Sequence, residues 1–192
     1  MCIRDSSIRH LKGEDLKNAI PDKIYISLKD MRILTKVDML MLEMLANCNW
    51  ERPLYMAISV GEVSKLKFDH YFVQEGLAFR FTPFDYKKWG NVKGDNNYAI
   101  DVERLYENVM NRYKYGGLDT PGLYLDETTL RTCYYHRRLF AQLAKELIRQ
   151  GDNTRARKVL AYAEQAVPAY NVPEIYESGS FDIAKALSLI HI

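Results

Sequence analysis

The chain has few of the residues that carry chemistry by themselves. Among its 192 residues there are 3 cysteines and 4 histidines. Cys2 and His191 fall in the end segments set apart below, and Cys48 and Cys133, far apart in sequence, give neither a disulfide framework nor a metal-ligand spacing. No pair among His10, His70 and His136 has the spacing of zinc ligands. Neither a metal nor another cofactor is expected, and Cys48 and Cys133 read as small buried thiols. An excess of one charge sign is also missing. The 27 basic and 25 acidic residues leave a net +2, too little to argue for a nucleic-acid partner. No apolar run approaches the ~20 residues needed to span a bilayer, so this stretch is expected to be soluble. It has no Gly-x-Ser-x-Gly elbow, no glycine-rich phosphate loop and no carboxylate pair that stands out. A small α/β enzyme in its own right is therefore left without a catalytic residue to name.

The two ends are related through their DNA. Met1-Cys2-Ile3-Arg4-Asp5-Ser6 back-translates to ATG TGT ATA AGA GAC AG. The reverse complement encodes Leu-Ser-Leu-Ile-His and the start of an Ile codon, which is how residues 187–192 read. Both ends resemble one translated sequencing-library adapter in opposite orientations, so 1–6 and 187–192 are set apart as an artefact. On this reading the chain is a fragment with its natural termini elsewhere.

The whole chain is 47% hydrophobic, enough for the core of one or two small domains. Residues 7–19 are polar and mixed in charge, and read as a linker. Residues 20–100 read as a small α/β domain. Ile24, Ile26 and Leu28 alternate with polar neighbours, which predicts a short half-buried strand over 23–28. Thr35-Lys36-Val37-Asp38 has the form of a capping box with Asp in its last place. Val37, Leu40, Met41, Met44 and Leu45 follow at helical spacing. Such a methionine-rich face reads first as core filler and second as an adaptable binding groove. Leu54 to Val60 is a near-continuous apolar run, which predicts a buried strand. Residues 68–74 read as a short helix stopped by Gly76. Leu77, Phe79 and Phe81 alternate into a strand that Pro83 ends. Tyr86 to Tyr98 interleaves Lys87, Lys88, Lys93 and Trp89 in a loop. It reads as a solvated loop with one anchoring Trp before it reads as a grip for a sugar or base.

Residues 101–186 read as helical. Asp101 is the expected N-cap of a helix carrying Val102, Leu105, Val109 and Tyr113 to Gly116-Gly117. Asp126 caps a longer helix with Leu130, Cys133, Tyr134, Phe140, Leu143, Ala144 and Leu147 on its apolar face, closed by Gly151. Arg137 and Arg138 read as a solvated face before they read as an anion site. From Leu143-Ala144 through Gly151 to Ala156, Leu160, Ala163 and Pro168, the chain resembles a tetratricopeptide repeat. Small residues let two helices approach, Gly turns the chain and Pro ends the unit. One such unit cannot bury its own face, which suits an array cut short. Pro173 opens a further helical segment. The fold class expected is α+β, an α/β-like N-terminal half followed by an all-α, tetratricopeptide-like helical hairpin.

Several ordered segments carry a wider resemblance: Leu34-Thr35-Lys36-Val37-Asp38, Asn49-Trp50-Glu51-Arg52-Pro53-Leu54-Tyr55-Met56-Ala57, Glu75-Gly76-Leu77-Ala78-Phe79-Arg80, Asn108 to Gly117, and Tyr124-Leu125-Asp126-Glu127-Thr128. Over most of 20–173 the chain resembles the bacterial membrane-protein family catalogued as domain of unknown function 2723, whose membrane part looks like protein O-mannosyltransferases. The resemblance implies a multi-spanning glycosyltransferase-like half upstream, with this region outside the membrane, in the periplasm. Catalysis would belong to that half, and no catalytic residue is carried over. The expected role is non-catalytic: acceptor recognition, docking or support. The partners implied are the membrane half of the parent chain and a protein or glycan acceptor, with no nucleic acid. Trp50, Tyr55, Arg80 and Trp89 are the candidate sugar or acceptor contacts. Against this stand core packing for Trp50 and Tyr55, and a solvated strand face for Arg80. A free-standing tetratricopeptide-type protein-binding module is the alternative.

Overall fold

Thr35 starts the first helix. Its backbone N–H and its hydroxyl donate to the Asp38 carboxylate at 2.9 and 2.7 Å, and its Oγ accepts from the Asp38 N–H at 3.2 Å. This reciprocal pairing satisfies two of the helix's orphan donors and is the capping box that the sequence announces. The computed structural model describes residues 23–26, 28, 33–48, 52–60, 69–86 and 98–190. The chain divides into two compact units, 1–101 and 102–192.

In the first unit, helix α1 (Lys36–Ala46) precedes four short strands: β1 (Tyr55–Ala57), β2 (Phe72–Gln74), β3 (Ala78–Phe81) and β4 (Ala99–Ile100). Their order in the sheet is β1-β3-β2-β4. β1 and β2 each run antiparallel to β3, and β4 runs parallel to β2. Strand side chains alternate between faces, so Phe79 and Phe81 share one side of β3. They form a core with Tyr71 and Phe72, against which Met41, Leu42 and Leu45 of α1 pack together with Leu54, Met56 and Ile58. The Phe72 and Phe81 rings lie 5.5 Å apart, and Phe79 meets Tyr98 edge-on at 4.6 Å.

Residues 24–26 form no strand, although Ile24 and Ile26 still pack on the core. Leu54 to Val60 is not a buried strand. It is a three-residue edge strand followed by a 3-10 turn, Ile58–Val60, with only Leu54, Met56 and Ile58 turned inward. Tyr55, Ala57 and Ser59 occupy the outward positions, so the period of two was hidden by apolar residues on both faces. The helix expected over 68–74 is a 3-10 turn, Asp69–Tyr71, leading into β2. The short mixed sheet still makes the chain α+β, the class expected.

The second unit is helical. α2 (Val102–Glu107) passes into a π-helical turn, Asn108–Arg112, and buries Val102, Leu105 and Val109. The helix thus stops before Tyr113, short of the glycines expected to end it. Gly116 and Gly117 follow with φ of 63° and 76°. α3 (Glu127–Arg149) begins at Asp126, whose carboxylate accepts from the Thr129 N–H at 2.8 Å. Gly151 turns the chain with φ 82°, and Asp152 caps α4 (Asn153–Ala166) by accepting from the Arg155 N–H at 2.9 Å. α5 (Ser180–Ile190) continues through Leu187-Ser188-Leu189-Ile190. Leu139, Phe140, Leu143, Ala144 and Leu147 of α3 and Ala156, Val159, Leu160 and Ala163 of α4 are buried.

Arg137 is neither solvated nor an anion site. It is buried, and its guanidinium donates to the carbonyls of Val167, Val172 and Pro173 at 3.1, 2.8 and 3.1 Å and to the Ser180 hydroxyl at 3.2 Å. It ties the middle of α3 to the end of α4 and the start of α5. Arg138 is exposed and donates to the Glu177 carbonyl.

Candidate functional site

Two of the four candidate contacts meet on one face of the sheet. In the β1–β3 register Tyr55 lies directly opposite Arg80. Their face is the one turned away from Phe79 and Phe81, because side chains alternate along β3. Glu75 follows β2 at the turn into β3, where its N–H donates to the Ala78 carbonyl at 3.1 Å. Gly76 makes that turn with φ 149°, a conformation that side chains disfavour. Glu75 thereby lies diagonal to Arg80 on the same face.

The Glu75 carboxylate joins the pair. One oxygen accepts from the Arg80 Nε at 2.5 Å and the other from the Tyr55 hydroxyl at 3.2 Å. The Glu75 and Arg80 side chains are largely buried, at 8% and 17% exposure, whereas Tyr55 is 52% exposed. A charge-assisted pair at this depth fixes the tyrosine hydroxyl and leaves its ring facing outward. With one oxygen held by a cation and the other by a phenol, Glu75 is poorly suited to act as a base. The cluster can present an aromatic surface and a fixed hydroxyl to a ligand, but it assembles no nucleophile.

Trp50 and Trp89 lie outside the described residues. Glu75 was missed as a site residue, although it lies in the quoted Glu75-Gly76-Leu77-Ala78-Phe79-Arg80 segment. A carboxylate and a guanidinium five residues apart across a glycine turn was the available signal.

The remaining titratable groups do not extend this cluster. His70 Nε2 lies 4.0 Å from Asp85, and burial followed by the Asp85 charge raises the Tyr71 phenol above its ordinary value. In the helical unit the Tyr115 ring is stacked on Phe140 at 5.7 Å and meets His136 and Tyr162 edge-on at 5.2 and 6.0 Å. The Tyr115 hydroxyl donates to the Val109 carbonyl at 2.7 Å. Burial, then the neighbouring Tyr162 and Tyr113, pushes its phenol well above the ordinary range. Burial lowers the pKa of His136, and its Nδ1 is enclosed with no hydrogen-bond partner. Arg155 donates to both oxygens of Glu103 at 2.9 and 3.0 Å and to Asp152 at 2.6 Å, and sits 5.4 Å over the Tyr106 ring. These contacts hold α2 against α4 and leave the Arg155 cation neutralised. Among the described residues no group of three His, Cys, Asp or Glu side chains is placed to hold a metal ion. No described helix is long and apolar enough to cross a membrane.

No curated protein and no solved structure matches this chain. Residues 5–103 match the family model of TMEM260-associated domain 2, a stretch that takes in the sheet, α1 and the Tyr55–Glu75–Arg80 cluster. The chain belongs to the TMEM260-associated domain 2 family.

Proposed function

We propose that this chain is a non-catalytic, extramembrane accessory region of a membrane glycosyltransferase-like protein, serving acceptor recognition, docking or support of the membrane half. The observation that carries this reading is the family match over residues 5–103, since the family is defined by its association with TMEM260. The motif resemblance to the domain of unknown function 2723 family points to a parent of the same kind, with this region in the periplasm. The cluster agrees with a recognition role. Tyr55 offers an outward ring beside a fixed hydroxyl, which suits stacking on a sugar or a peptide, while Glu75 is occupied by Arg80. Trp50 and Trp89 remain candidate contacts from the sequence.

The second reading is a protein-binding module of tetratricopeptide type. It is favoured by the α3–α4 hairpin with its glycine turn at Gly151 and by α5 continuing the helical run.

The test of the first reading uses the full chain. Incubated with a lipid-linked sugar and a peptide acceptor, it should give no transfer, and turnover above a buffer control refutes the non-catalytic role. Glycan and peptide arrays should give binding that Tyr55→Ala weakens about tenfold, as expected for a lost stacking contact. Binding unchanged by that substitution removes Tyr55 from the site.

A further inference from the structure

Helix α1 carries apolar residues on more than one side, exposed Met39 among them, and the core uses only one. Met41, Leu42 and Leu45 pack on the sheet core, whereas Val37, Leu40 and Met44 are 42%, 63% and 59% exposed. Those three follow a 3-4 spacing, the a/d repeat of a helix–helix seam. Ile33, just ahead of the cap, adds further exposed apolar surface at 78%. Lys36 and Glu43 flank the seam, and both are exposed. They are of opposite sign and seven residues apart, hence on the same side of the helix.

From this juxtaposition we infer that α1 pairs antiparallel, about a two-fold axis near Leu40, with α1 of a second copy of this chain. A two-fold interface presents the same patch from both partners. Antiparallel pairing centred near Leu40 sets Lys36 of each copy opposite Glu43 of the other, so one helix supplies two complementary ion pairs. Val37 and Leu40 interleave across the axis, and Met44 reaches toward the surface around Ile33. Glu43 is already oriented, its Oε1 accepting from Asn47 Nδ2 at 2.8 Å.

The exposed apolar surface is on the order of 500 Å² per copy, so the pair buries roughly 1,000 Å², below the size of a stable dimer. The dimer is therefore weak and exchanging, with a dissociation constant in the micromolar range. A lipid surface fits less well, because the helix carries one exposed Lys beside one exposed Glu rather than a basic face.

Sedimentation equilibrium of the full chain over a wide concentration range tests this. The parent should show a reversible monomer–dimer equilibrium. Leu40→Glu, at an exposed position that leaves the fold intact by circular dichroism, should abolish it. Lys36→Glu should weaken it about tenfold, two exposed ion pairs becoming two repulsions. Lys36→Glu combined with Glu43→Lys should restore the parental constant. A parent that stays monomeric throughout, a Leu40→Glu variant that still dimerises, or a double variant no better than Lys36→Glu overturns the inference. Co-sedimentation of a monomeric parent with phosphatidylcholine vesicles, lost in Leu40→Glu, also overturns it and assigns the face to lipid.

Discussion

Replacing Arg137 by alanine removes a guanidinium that three backbone carbonyls and one hydroxyl depend on. Hydrogen bonds to a charged group contribute about 1.5–3 kcal/mol each, which would suggest a very large loss. Two effects reduce it. Burying the cation already costs several kcal/mol, and that cost disappears with the side chain. The Pro173 carbonyl can also relax toward water, since Pro173 is exposed. The carbonyls of Val167, at the end of α4, and Val172 have less freedom to do so, both residues being buried. A net loss of roughly 3–5 kcal/mol follows, because two buried carbonyls are left without a donor at about 1–3 kcal/mol each. The assay is urea unfolding followed at 222 nm, where the helical unit dominates. At about 1.5 kcal/mol per molar urea the midpoint should fall by roughly 2–3 M. Arg137→Lys keeps the charge but not the fork, and should fall between parent and alanine variant. An alanine variant within about 1 kcal/mol of the parent would refute the idea that Arg137 fastens α4 and α5 to α3.

Further expectations concern other parts of the chain. Glu75→Gln leaves Arg80 without its carboxylate and should destabilise the sheet unit by about 1–2 kcal/mol, read by urea unfolding. No loss would mean that the pair contributes nothing. His136 is held below its ordinary pKa of 6.5, so the unfolded chain binds its proton first. Stability is therefore fully present above pH 6.5 and declines as the pH falls below it, by at most about 1.4 kcal/mol per pH unit from this group. His136→Gln should flatten that dependence, and an unchanged slope would exonerate the histidine. Gly179 has φ 84°, and a Cβ there would lie 2.8 Å from Arg138 Cγ. Gly179→Ala should accordingly cost about 1–3 kcal/mol in thermal unfolding, whereas a neutral result would show that the turn before α5 yields easily. Burial raises the Cys133 thiol despite the opposing charge of Arg137. A thiol reagent should therefore modify half-buried Cys48 in the folded chain and Cys133 only in denaturant, as mass spectrometry can resolve.

The legible parts of the fold were those with a local cause. Thr35, Asp126 and Asp152 mark helix starts because a short side chain takes an orphan N–H within three residues. The β3 alternation was clear because polar or small residues separate Leu77, Phe79 and Phe81. The Leu54–Val60 run misled because Tyr55 and Ala57 are apolar yet outward, so pattern alone could not separate an edge strand from a buried one. Arg137 misled in the opposite sense, since its acceptors lie 30 to 43 residues away and no local rule finds them. Tyr55 and Arg80 were legible separately as an aromatic and a cation on strands. Their common partner Glu75 became visible only with the register, which depends on pairing across the sheet. The division of labour on α1 was likewise hidden. Its spacing gives an apolar helix, but only the packed sheet decides which apolar residues are spent on the core.

Long-read sequencing of the locus, translated across both ends, tests the proposal that this chain serves a membrane glycosyltransferase-like parent. A continuous frame that encodes many membrane spans upstream of these residues is the predicted result. A short frame with natural stops near both ends and no membrane spans would contradict it and leave a free-standing binding module.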